Sequence, residues 1–442
     1  MQLRSTPTTD PTTRPGGHVT MSSDSVDRLG FMITNLDGGG AERTVSNLAR
    51  GFSDHHRQLL LFEDSIVYPF DGDVHVVDIP IMGDLSRTRK IYEVGRGLVE
   101  LNRRRRSLQL DTCLSFLTWP NLFNVLSSGD ERTIISVRNN PSRAIRGPYA
   151  PVLKAMIRAV YPRADHIVAI SEDVRRDLIE HFGVAPDRVT TIYNPIQFDD
   201  VRHQATAELP EPLRGIEDVP TVISVGRLAL QKGQWHLIRA FSRVHRRVDN
   251  STLLLLGVGP FRDYLVELAQ DLGLAVWAHD VPGQGHPLDY DVVFWGFAQN
   301  PFPILSASDV FAFPSLWEGL GNVLLESLTC ELPVVSADCR SGPREILAPD
   351  TPIDTRTQDA EWADFGVLLP VCDGERRDHI APLTDEESLW AEVLTELLTD
   401  EQTCHHYATR GRMRASDFGL DDITEQWRQL LGYTQLPNPS QS

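Results

Sequence analysis

The stretch VFAFPSLWEGLGNVLLESLTCELPVVS, residues 310–336, decides the fold. Its first four residues, Val310–Phe313, form an apolar run with no polar face and read as a strand. A loop, Pro314–Leu320, follows, and a helix is predicted from Gly321 onward. A second apolar run, Pro333–Ser336, completes the unit. Strands this continuously apolar fit a parallel sheet covered on both faces, with a helix as the crossover.

The same alternation extends outward. Upstream, Thr221–Val225, Thr252–Leu256 and Val292–Trp295 read as strands. Gly233–Arg247 reads as a helix with Leu237, Phe241 and Val244 on one face. An earlier series opens with a strand at Leu29–Leu36 and a helix at Ala41–Phe52, where Val45, Leu48, Ala49 and Phe52 share a face. Strands at Thr112–Phe116, Thr133–Val137, His166–Ile170 and Val189–Tyr193 continue it. The polar, Pro- and acid-rich stretch Arg202–Asp218 separates the two series as a linker. Gly366–Glu386 reads as a loop, and Leu389–Leu398 and Ile423–Leu431 as helices. The prediction is α/β: two Rossmann-like domains facing each other across a cleft. Residues 1–26 and 433–442 are expected to be loose tails. Residues 27–205 and 206–432 are the N-terminal and C-terminal domains, the final helix being able to pack back on the N-terminal one.

Composition narrows the function. The 442 residues carry 42 basic and 61 acidic side chains, a formal charge of −19. Such a chain is a poor non-specific binder of nucleic acid. Only Lys90, Lys154 and Lys232 are lysines. An acidic, lysine-poor surface suits a salt-rich cytoplasm, where screening is short-ranged. A GC-rich genome also favours arginine over lysine but does not explain the acid excess, so a halophilic, archaeal source is the expectation. The five cysteines, Cys113, Cys330, Cys339, Cys372 and Cys404, are odd in number and lack CxxC spacing. That excludes a zinc ribbon or a disulfide framework and fits a reducing compartment. No apolar run reaches the ~18 residues of a membrane span. The first twenty residues lack the apolar core of a signal peptide, and Met21 is an alternative start. The expected location is cytoplasmic, peripheral at the inner face of the membrane.

Three clusters carry candidate chemistry. Gly38, Gly39 and Gly40 lie between a strand and a helix, where backbone can approach a phosphate or a sugar closely. A tight structural turn explains them equally well, and the spacing is not GxGxxG, which disfavours a dehydrogenase. Gly226 and Arg227, then Lys232, follow a strand at the rim where open α/β sheets bind ligands. Two cations there suit a diphosphate, although a basic turn in solvent is the plainer reading. Glu318 and Glu326 flank Gly319, Leu320, Gly321 and Asn322. Carboxylates accept hydrogen bonds from adjacent hydroxyls, and amides at a helix start suit phosphate. An acidic loop with a surface glutamate is the alternative.

Together these motifs resemble the retaining, GT-B-fold glycosyltransferases of family 4. The resemblance rests on GGGAERTVSNLA at 38–49, ISEDVRRDLIEHFGVAPDRVTTIYNPI at 170–196, SVGRLALQKG at 224–233 and EGLGNVLLESLTCELPVVSADCRSGPREIL at 318–347. It implies that Arg227 and Lys232 bind the donor diphosphate, Glu318 contacts the transferred sugar and Glu326 holds the donor ribose. Amides around Leu320, Gly321 and Asn322 would face the diphosphate. Gly39 and Gly40 would approach donor or acceptor from the other domain. The implied substrates are a nucleotide sugar, UDP-linked before GDP-linked, and a glycan or lipid-linked acceptor. No metal or other cofactor is implied. Many relatives carry a histidine after the strand at Thr112–Phe116. Here SFLTWPNLFN, residues 115–124, has none, and Asn121, with Arg138, becomes the candidate polar group. A nucleotide-sugar epimerase and a non-catalytic sugar-nucleotide-binding subunit are the competing readings.

Three further features stand apart from these clusters. Asp71-Gly72-Asp73 is a DxD without the context of a metal–diphosphate site. Cys404, His405 and His406 are adjacent residues on a predicted helix and cannot point at one ion. Arg103–Arg106 reads as a solvated helix C-terminus, with docking to an anionic membrane face as the functional alternative.

Overall fold

The computed structural model describes residues 27–37, 39–79 and 87–433, so Gly38 lies outside the described residues, as do the two tails apart from Tyr433. The first half builds a seven-stranded sheet from β1 (Arg28–Ile33), β2 (His56–Leu61), β3 (Asp73–Val76), β4 (Thr112–Phe116), β5 (Arg132–Val137), β6 (His166–Ala169) and β7 (Val189–Thr191). Its order is β3-β2-β1-β4-β5-β6-β7, and every pairing is parallel. The second half contributes β8 (Thr221–Val225), β9 (Thr252–Leu256), β10 (Val276–Ala278), β11 (Val292–Gly296), β12 (Val310–Phe313), β13 (Val334–Ala337), β14 (Glu361–Ala363) and β15 (Gly366–Leu369). They form an eight-stranded sheet in the order β10-β11-β9-β8-β12-β13-β15-β14, parallel except for β14 against β15. Central strands such as β4, β9 and β12 are buried at every position, the result of helices covering both faces. This is the two-domain GT-B architecture.

Three expectations change. The linker is no loose connection: Phe198–Ala205 is a helix, and Leu213 and Ile216 on the short turns after it are fully buried. The segment read as a loop from Gly366 contains β15, which lies in the core beside β13. The arginine run ends a helix, Arg87–Leu108, whose ~100° turn per residue splits it. Arg103 and Arg106 are exposed, but Arg105 is buried. It pairs with Glu131 and donates to Asn124 O at 2.7 Å and Ser127 Oγ at 2.9 Å.

The chain crosses between the halves twice. After β7 it passes Ile196, whose amide donates to Phe418 O at 2.8 Å as the chain returns. The returning helix, Leu420–Leu431, lays Ile423, Trp427 and Leu431 on the core of the first sheet. Each such side chain contributes ~1.5–3 kcal/mol by burial. Arg428 fixes the helix with a two-pronged pair to Asp54 at 2.5 and 3.0 Å.

Candidate active site

Both sheets change winding direction at their centre, between β1 and β4 in the first and between β8 and β12 in the second. Crevices at the carboxyl ends of such strands are where open α/β sheets bind ligands. The loops that leave β1, β8 and β12 meet there around a cavity of about 730 Å³.

The loop after β8 is shaped by glycines. Gly226 has φ +155°, and Gly257 presses so close that a Cβ on it would lie 2.0 Å from Gly226 O. Gly233, at φ +60°, leaves no room for a side chain, because a Cβ would lie 2.5 Å from Pro314 O. That contact brings the turn Leu230–Lys232 beside the loop after β12. Lys232 Nζ then lies 2.6 Å from Glu318 Oε1 and 4.7 Å from the Phe313 ring centre. Arg227 is exposed and has no carboxylate partner among the described residues.

The loop after β12 ends at Gly321, whose φ of +85° caps the helix Asn322–Thr329. Gly319 touches the first half: a Cβ there would meet Arg138 O at 2.2 Å. Asn322 donates to Gly40 O at 3.3 Å and also bonds Asn194. The helix Gly40–Gly51 therefore starts opposite the helix Asn322–Thr329, and two helix N-termini face one cavity. Both macrodipoles favour an anion there.

The first half adds three groups that the sequence reading did not single out. Arg43 Nη1 reaches across the cleft to Glu326 Oε1 at 2.7 Å. Glu42 lies over Gly39, and burial raises its carboxyl above the usual range. Asn194 joins Arg138 to Asn322. Burial pushes the Arg138 guanidinium down to about 9, with Glu42 opposing the shift, and its Nε has no partner. Glu42 and Arg43 stand in the first turn after the glycines, so their position was the available signal. The partner of Arg43, 283 residues away, gave none.

Gly39, Gly40, Arg138, Gly226, Arg227 and Lys232 all line the cavity, as do Glu318, Gly319, Leu320, Gly321, Asn322 and Glu326. Asn121 does not. It is 1 % exposed, accepts from Ser115 Oγ and donates to Ser136 O, both at 2.8 Å. Its role is to tie β4 to β5. A neighbouring cavity of about 490 Å³ shares Arg43, Tyr68 and Glu326 and is bordered by Phe297, 71 % exposed. The DxD residues are occupied elsewhere: Asp71 pairs with Arg57 and Asp73 accepts from Gln58. His405 and His406 face solvent. No group of three or more metal-ligating side chains gathers among the described residues. Cys113 and Cys330 are pushed up to about 11 and about 12 by burial, which leaves them inert thiols. No described helix is long and apolar enough to cross a membrane.

Comparison with known proteins gives this cleft a family. A model described as Glycosyltransferase Family 4 matches residues 38–200, and one described as Glycosyl transferases group 1 matches residues 219–364. An uncharacterized glycosyltransferase of Methanocaldococcus jannaschii is 31 % identical over 69 % of this chain and 72 % of its own length. A Campylobacter jejuni enzyme is 27 % identical over 92 % of this chain and 100 % of its own. Its name is N-acetylgalactosamine-N,N'-diacetylbacillosaminyl-diphospho-undecaprenol 4-alpha-N-acetylgalactosaminyltransferase. The fold is shared with Anabaena HepE, solved in complex with UDP and glucose, at a TM-score of 0.66 and 18 % identity over 92 % of this chain and 99 % of that one. With two paired Rossmann-like sheets and both family models meeting across one cleft, the chain belongs to the group 1, family 4 glycosyltransferases.

Proposed function

We propose that the protein transfers a hexosyl or N-acetylhexosaminyl unit from a UDP-sugar to a lipid-linked oligosaccharide or surface-polysaccharide acceptor, with retention and without a metal. The observation that carries this is the Lys232–Glu318 pair standing in the cleft beside Arg227, which has no carboxylate partner among the described residues. A donor diphosphate would draw the Lys232 ammonium and the Arg227 guanidinium toward its oxygens. Glu318 would then be free to accept from sugar hydroxyls. Glu326 would exchange its contact with Arg43 for ribose hydroxyls, and the nucleobase would extend toward Phe297 in the adjoining cavity.

In this reading the C1–O bond to the diphosphate breaks, and the bond from C1 to the acceptor oxygen forms on the same face. The departing phosphate takes the acceptor proton, while Arg227, Lys232 and the helix start at Gly321 stabilise its charge. The domain divide falls between residues 205 and 206, with the acceptor served from the first half and the donor held by the second. A cytoplasmic position, peripheral at the membrane face, would bring a lipid-linked acceptor within reach. The acidic, lysine-poor surface calls for assays in high salt.

The test is a thermal-shift screen of nucleotide sugars in high salt, followed by transfer assays with Glu318→Ala, Arg227→Ala and Lys232→Ala. A UDP-sugar should raise the melting temperature by mass action. Each variant should lose transfer while staying folded. Wild-type transfer rates in any of the three would refute the site, and product formed from donor alone would identify an epimerase instead.

A further inference from the structure

We propose that Arg143, Arg146 and Arg340, backed by Arg356, form a second anion site at the cleft mouth that takes the diphosphate of a lipid-linked acceptor. This rests on the acceptor class of the proposed function and adds the residues that would recognise it.

The placement comes from the seam between the halves. Asp173 accepts from Asn140 Nδ2 at 3.1 Å and from Ser341 Oγ at 2.8 Å. Asp177 accepts from the Ser142 amide at 3.0 Å. These bonds hold the short helix Pro141–Ala144 of the first half against the loop around Arg340 of the second. Arg146 lies flat on Trp317, its Cζ 4.3 Å from the ring centre. Trp317 directly precedes Glu318, so Arg146 stands next to the loop that carries the proposed sugar contact.

Charge is the second argument. Among the described residues neither Arg143, Arg146 nor Arg356 has a carboxylate within ion-pair distance, and Arg340 has only Asp173 at 3.8 Å. Asp173 is already shared between two hydrogen-bond donors. Burial lowers the Arg143 guanidinium, with Arg340 and Arg356 lowering it further against the pull of Asp173 and Asp177. In a chain of net charge −19, a group of guanidiniums left short of counter-charge is a site awaiting an anion. Planar guanidiniums bind phosphate oxygens in pairs, which a diphosphate can satisfy at several positions.

The third argument is the apolar start of the next helix, which Lys154 ties to the Pro141–Ala144 segment by donating from Nζ to Ser142 O. Tyr149 and Val152, at the start of the helix Ala150–Val160, are 81 % and 61 % exposed. A diphosphate that joins a sugar to a polyprenyl chain needs this sequence of surfaces: a sugar site, then cations, then an apolar rim.

The test uses calorimetric titration of the intact protein with UDP, with farnesyl diphosphate and with inorganic pyrophosphate. Farnesyl diphosphate is expected to bind the UDP-saturated protein. Arg143→Gln/Arg340→Gln should weaken that binding ~10-fold or more, since charge-assisted contacts are lost. The same variant should bind UDP as the wild type does, which also reports an intact fold. Arg103→Gln/Arg106→Gln, with equal charge change on an exposed helix, should bind farnesyl diphosphate normally. Farnesyl diphosphate binding tighter than pyrophosphate supports a lipid-linked ligand, and equal binding overturns the lipid part. Unchanged affinity in the Arg143/Arg340 variant, or competition with UDP, overturns the site. If UDP fails to bind while the arginine-dependent site persists, the donor reading falls and this one stands.

Discussion

Replacing Lys232 by methionine isolates the ion pair at the centre of the cleft. Methionine keeps an apolar stem against Gly226, where the lysine methylenes now lie, and removes only the charge. Glu318 stays behind with its side chain 8 % exposed and without its counter-ion at 2.6 Å. Removing one partner of a buried pair costs ~3–5 kcal/mol. The lysine side chain is 18 % exposed, so the lower end applies. Loss of the cation over Phe313 adds ~0.5–1 kcal/mol. The expected cost is therefore ~3–4 kcal/mol in the empty protein. Lys232→Met/Glu318→Gln removes both charges and should recover ~2–3 kcal/mol of that, leaving a cost of ~1 kcal/mol. The assay is urea unfolding at pH 7 without nucleotide, with tryptophan fluorescence as the signal. The expected order of midpoints is wild type, double variant, single variant. A single variant as stable as the wild type, or no recovery in the double variant, would refute the claim that Lys232 holds Glu318 in place.

Three further outcomes follow from the same contacts. Arg43→Gln removes the cross-cleft pair with Glu326, worth ~1 kcal/mol. The empty protein should then show a larger radius of gyration by small-angle scattering, and an unchanged radius would refute a bridging role. Gly319→Ala places a Cβ 2.2 Å from Arg138 O, so the two loops must part, costing ~1–3 kcal/mol. A wild-type melting temperature would show that the halves do not meet there. Burial raises the Asp54 carboxyl, but hydrogen bonds from Arg428 and His55 outweigh it and hold it at about 2. A folded value below the unfolded ~3.9 stabilises above about pH 4 and is lost as the pH falls toward 2. Asp54→Asn should cost up to ~1 kcal/mol at pH 7 and only a small part of that at pH 2. An equal loss at both pH values in acid titration followed by tryptophan fluorescence would refute the charged pair.

The sequence revealed most where burial is complete. β4, β8, β9 and β12 were legible to the residue, because strands covered on both faces are almost purely apolar. β2, HRQLLL, opens on polar residues, and β3, DVHV, is an edge strand exposed at most positions, so neither carried that signature. Arg105 hid inside a run of four identical residues. Only the helix phase turns it inward, toward Asn124 O and Glu131. Asn121 sits where a polar group after a strand could face either the cleft or the core. The backbone at Leu117, with φ +74°, sets the helix direction that sends it inward, and a leucine does not announce a positive φ. The loops that line the cavity were legible because glycines, cations and carboxylates occur in short spans. Arg43 and its partner Glu326 stand 283 residues apart, and proximity of that kind is a product of the fold alone.

The two crossings of the chain at Ile196 and Phe418 have a mechanical consequence. They run side by side and are joined by a hydrogen bond of 2.8 Å, so the halves are pinned at one edge by two strands of backbone rather than one. A single tether would permit twisting and swivelling. Paired tethers leave one easy degree of freedom, a rotation about the line they share. Cleft residues on the two halves would then separate along fixed arcs and return to the same register each time. Arg43 would meet Glu326, and Gly319 would meet the Arg138 carbonyl, after every cycle of opening without a search for alignment.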